Sequence, residues 1–96
     1  MNLGKAIGVI REMAGLKQAE MARLISISKN AMSSIELGKS KPSDTNLAKI
    51  AEVLKVEVSF IYLLAIDPEK DMSDESRAKF NKLFPDFNNK LLTFVK

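Results

Sequence analysis

Residues 18–37 read QAEMARLISISKNAMSSIEL, and the parsing of this stretch decides the fold. Met21, Leu24 and Ile25 recur at helical spacing, which predicts a short helix over 18–25. Residues 28–37, laid out at about 100° per residue, put Ala31, Met32 and Ile35 on one arc. Lys29, Asn30, Ser33, Ser34 and Leu37 fall on the opposite arc. Ser28 is placed to cap this second helix and Gly38 to stop it. Only the residues SIS, 26–28, join the two. So short a connection demands a close crossing, and Ala22 permits it because a larger side chain would force the helices apart.

Outward from this pair, apolar residues keep helical spacing and no strand alternation competes with it. A first helix is expected over 3–14, with Leu3, Ile7, Ile10 and Met13 or Ala14 inward, ended by Gly15. KPSDTN reads as a turn and a capped start to a helix over 44–54, which buries Leu47, Ile50, Ala51 and Leu54. Another helix occupies about 57–65. Pro68, among the charges of DPEKDMSDES, marks a boundary or linker. Beyond it Ser73 can cap a helix to Leu83 or Phe84, and Pro85, at a helix N1 position, begins one more. The expected architecture is all-α: a five-helix domain over 1–66 and a two-helix extension over 67–96.

Composition narrows the chemistry. The 96 residues suit one compact domain with a short appendage. Cysteine and histidine are both absent, which removes disulfides, thiolate metal sites and the commonest general base. Carboxylates are scattered and no glycine-rich phosphate loop exists, so neither an enzyme nor a bound cofactor or metal is expected. Met13, Met21, Met32 and Met72 read as core filler. The net charge of +3 is unevenly placed: residues 1–65 hold nine Lys/Arg against six Asp/Glu, and residues 66–96 hold six of each. No apolar run reaches membrane-spanning length and MNLGKAIGVI lacks a signal core, so a cytoplasmic protein is expected.

The exposed arc of the helix over 28–37 is slim and mildly basic, and a closely crossed pair leaves its second helix prominent. Such a helix can enter the DNA major groove without collision. Asn30 can offer a bidentate amide to adenine, Lys29 can reach guanine acceptors or a phosphate, and serines can adjust to either.

With these residues in view, LGKAIGVIREMAGLKQAEMARLISISKNAMSSIELGKSKPS and the later LAKIAEVLKV resemble the Cro/lambda-repressor type of helix-turn-helix protein, also called XRE. The resemblance covers residues 3–64, with the motif itself at about 18–37. Gln18 opens the second helix, Ala22 sits at the crossing, and Ile27, Met32 and Ile35 fill core positions; Arg11, Glu36, Gly38, Lys39, Pro42 and Ser43 match too. The resemblance implies a lambda-repressor-like fold and a sequence-specific regulator of transcription, most simply a repressor. Such a protein binds double-stranded DNA as a homodimer on a two-fold operator.

Carried over by position, it implies that Gln18 grips a phosphate. Lys29, Asn30 and Ser34 would face base edges, with Ser28 and Ser33 near the backbone or base edges. Lys39, Ser40 and Lys41 would contact flanking phosphate, which positions the domain without specifying sequence. Arg11 and Glu36, each at the edge of an apolar face, are implied to pair between the first and third helices as a structural ion pair.

Four departures stand out. Ser26 replaces the turn glycine and would need a left-handed backbone, and Lys55 replaces the glycine that ends the fourth helix. The base-facing set lacks arginine and glutamine, and Leu37 is apolar where the family is usually polar. The last two keep an alternative open: a protein-interaction module, or an antitoxin-type component, with weak or partner-dependent DNA binding.

In the extension, Phe80, Leu83, Phe84, Phe87, Leu91 and Phe94 form a helical stripe interrupted by Pro85. Exposing all six would be costly. A dimerisation tail is expected, against the alternative that it folds back over Phe60, Tyr62 and Leu63.

Overall fold

The computed structural model describes residues 2–93. Its elements are α1 (Leu3–Met13), α2 (Gln18–Leu24), α3 (Lys29–Glu36), α4 (Asp44–Leu54), α5 (Val58–Ala65), α6 (Pro68–Asp71), α7 (Asp74–Leu83) and α8 (Phe87–Leu92). The fold is all-α, with no strand among the described residues. Short polar side chains start the helices where the sequence offers them. The Asn2 side-chain Oδ1 accepts from the Lys5 amide at 2.8 Å, and the Ser43 and Ser73 hydroxyls accept from the Asn46 and Ser76 amides at 3.1 and 3.2 Å. No helix among the described residues is long and apolar enough to cross a membrane.

The core is built by α1 to α5. Ala6, Ile7 and Ile10 of α1 meet Met21 and Ala22 of α2, Met32 and Ile35 of α3, the α4 stripe of Leu47, Ile50, Ala51 and Leu54, and Ile61 and Leu64 of α5. α1 is the hub, in contact with α3, α4 and α5. Its approach to α3 depends on Gly4: a β-carbon there would lie 2.1 Å from the Ile35 carbonyl oxygen. Only a glycine lets the two backbones touch. Two apolar expectations are corrected. Neither Met13, 43% exposed, nor the exposed Ala14 faces inward, and Leu24 is 50% exposed, since Met13 and Leu24 each end a helix where the chain turns away from the core.

The boundary after α5 is folded, not a linker. Asp67 accepts from the Glu69 amide and Asp71 from the Asp67 amide, both at 3.0 Å, so Pro68 starts a one-turn helix. Arg77 ties that turn to α7 through Glu69, 3.4 Å away, and Asp74. Pro85 does not open the last helix. Asp86, left-handed at φ 57°, precedes α8, which begins at Phe87.

The reversal brings three rings together: Phe80 lies 5.4 Å from Phe84 and 5.1 Å from Phe87, and Phe84 lies 5.9 Å from Phe87. α8 packs on α5, with Leu91 and Leu92 against the core. Leu91 is thus engaged within its own chain. Leu83 and Phe84 stay 71% and 50% exposed, and the fold-back leaves Tyr62 and Leu63 at 45% and 42%. Phe94 lies outside the described residues.

Candidate nucleic-acid interface

α2 and α3 are held in a tight crossing by the backbone between them. Ile25 N–H donates to Met21 O, Ser26 N–H to Arg23 O and Ile27 N–H to Ala22 O at 3.1, 3.2 and 2.9 Å. The reversal requires Ser26 at φ 62°, the left-handed conformation that a side chain resists. Ala22, 2% exposed, lies in the crossing. The Ser28 hydroxyl accepts from the Ala31 amide at 3.0 Å and so starts α3. Met32 and Ile35 anchor its inner side. Lys29 and Asn30 are exposed on the outer side, with Ser33 and Ser34 half-buried beside them.

The end of α3 is equally well defined. Gly38, at φ 78°, donates to Ile35 O at 3.0 Å, and Lys39 N–H donates to Ser34 O at 2.9 Å. These are the paired bonds of a Schellman stop. They set the direction in which Lys39, Ser40 and Lys41, all exposed, leave the helix. A depression beside this loop is lined by the three residues together with Asn2, Leu3 and Tyr62. A second depression lies across α3, where Gln18 of α2 meets Ser33, Glu36 and Leu37 and the α1 residues Lys5 and Gly8.

Arg11 and Glu36 sit behind this surface. The Arg11 Nε and Nη2 donate to the two Glu36 oxygens at 2.8 and 3.0 Å, and Nη1 donates to the Leu16 carbonyl at 2.7 Å. Both side chains are 10% exposed. The guanidinium therefore clamps three pieces: α1, the turn before α2, and the last turn of α3. The hydrogen bonds to Glu36 raise the Arg11 pKa above its already high ordinary value; burial opposes this, and the charges of Glu36 and Glu12 add to it. Both charges are spent on each other inside the fold, which separates the pair from the exposed polar face.

The structure therefore groups the site residues of the sequence reading in three places. Lys29, Asn30, Ser33 and Ser34 share the outer side of α3, Gln18 meets Ser33 across one depression, and Lys39, Ser40 and Lys41 line the other. Ser28 has its hydroxyl oxygen committed to the helix cap. Lys5 was missed. Its share in that depression exists only once α1 has docked against α3, and neither its spacing nor its neighbours in sequence signal that.

A family model described as helix-turn-helix matches residues 7–61. No curated protein and no solved structure matches the chain.

Proposed function

Because the chain belongs to the Cro/lambda-repressor type of helix-turn-helix DNA-binding regulators, we propose that it is a sequence-specific repressor that lays α3 in the major groove of a two-fold operator as a homodimer. The carrying observation is the outer side of α3. It is a row of short or flexible polar side chains on a helix whose inner side is locked by Met32, Ile35 and the Arg11–Glu36 clamp. Asn30 reads adenine, Lys29 and Ser34 reach base edges, and Ser28 and Ser33 lie near backbone or base edges. Gln18, Lys39, Ser40, Lys41 and the neighbouring Lys5 take phosphates and set the register. With DNA as partner, the protein works in the cytoplasm.

A dimer is supported by two features. Two recognition helices on a two-fold site must sit about 34 Å apart, and some contact has to hold them there. Residues 67–96, taken as a dimerisation tail behind a DNA-binding domain over 1–66, expose Leu83 and Phe84, while Tyr62 and Leu63 of α5 are also open.

Selection of bound duplexes from a random pool tests the reading, and a recovered two-fold site with half-sites one turn apart is expected. Asn30→Ala should then relax one position of each half-site, at a cost of roughly 1–3 kcal/mol. Lys41→Ala should weaken all sequences alike and reduce the salt slope by about one. Recovery of no duplex would overturn DNA binding by this face.

A further inference from the structure

We infer that Leu37 is a specificity-determining residue that reads thymine through its 5-methyl group, an inference that rests on the DNA-binding reading above. Leu37 closes α3 in a helical conformation, φ −79° and ψ −6°, so it continues the line of Asn30, Ser33 and Ser34 at i+7, i+4 and i+3. It is 65% exposed, and its fold contribution runs through the backbone: its amide donates to Ser33 O at 2.9 Å. The leucines the fold needs, Leu47, Leu54 and Leu64, are at most 6% exposed.

Exposure alone would mean little, since scattered surface leucines are ordinary. The company is what differs. Leu24, 50% exposed, lines a depression with Lys49 and Glu52 of α4 and the following Lys55, away from the polar row. Leu37 instead borders the depression that holds Gln18 and Ser33. Its neighbours along the row are serines, so its two methyl groups project beyond them. Base edges in the major groove present mostly hydrogen-bonding groups, and the one apolar group that projects from them is the thymine methyl. A leucine in that row has this one apolar partner.

The geometry also bounds where that thymine lies. Seven residues of helix span about 10 Å, or roughly three base pairs. The methyl-read thymine should therefore fall within about three base pairs of the position read by Asn30.

The test uses the full chain and the duplex recovered by selection, with each thymine replaced singly by deoxyuridine, which lacks only the methyl group. One thymine per half-site, inside that span, should lose about fourfold in affinity when replaced, and replacing it in both half-sites should cost roughly 15-fold. The loss should vanish in Leu37→Ala and persist in Leu37→Met. Tight binding that ignores every replacement, a half-site with no thymine in that span, or a methyl effect unchanged in Leu37→Ala would each overturn the inference while leaving DNA binding intact. If no duplex is recovered, the DNA-binding reading fails first.

Discussion

The chain up to Ile66 and the chain beyond it are held together by different forces. The buried aliphatic residues from Ala6 to Leu64 all lie in the first region, whereas α6 and α7 bury no residue completely. The second region coheres through three phenylalanine rings and surface ion pairs, among them Lys79–Glu75 at 3.4 Å. A fully buried aliphatic side chain contributes about 1.5–3 kcal/mol, an aromatic pair about 0.5–1.5 and an exposed ion pair about 0–1. We therefore propose that the first region folds on its own contacts. The second is ordered by what it leans on, which on one side is α5 and on the other is left open at Leu83 and Phe84.

The contrast is broken most directly at its strongest point. Glu36→Ala strands the Arg11 charge and should cost about 3–5 kcal/mol of unfolding free energy in a denaturant titration. With Arg11→Ala, a double-mutant cycle should show strong coupling, and additive effects would remove the clamp from the account. Gly4→Ala comes next. Pushing α1 off the Ile35 carbonyl should cost about 1–3 kcal/mol, with a loss of DNA affinity because α3 moves with it.

Truncation after Ile66 should cost less, about 1–2 kcal/mol from uncovering α5. It should leave a cooperatively folding monomer with much weaker operator binding, read by sedimentation beside the full chain. An unfolded product would erase the contrast, and an unchanged dimer would move the interface out of the tail. Ser26→Gly is the smallest change and should raise stability by up to about 1 kcal/mol by relieving the left-handed turn.

The first region was far more legible in sequence than the second, and the reason is the same difference in forces. α4 reads off as 44–54 because Ser43 is a capping residue and the stripe from Leu47 to Leu54 has one place to go. The polar row on α3 is legible by the same logic. What sequence hides is contact between distant segments. The close approach at Gly4 looks like a poor helix residue until Ile35 is opposite it, and Lys5 comes to line the depression that holds Gln18 only through that docking. In the tail, Pro85 satisfies the local rule for a helix start, yet ring packing among Phe80, Phe84 and Phe87 favours a turn through Asp86. Asp67 and Asp71 close a helical turn in a stretch whose composition reads as linker.

The clamp of Arg11 on Glu36 and Leu16 has an evolutionary corollary. It fixes the pose of α3 from behind, so the exposed side chains of Lys29 and Asn30 carry almost none of the folding free energy, and the half-buried Ser33 and Ser34 little. Substitutions at Lys29 and Asn30 are thus nearly free of the stability threshold that constrains most of a small domain. On the proposed reading of α3 as the element that reads the operator, a lineage of such chains can drift from one operator to another through intermediates that all stay folded, with the scaffold inherited unchanged and only the address rewritten.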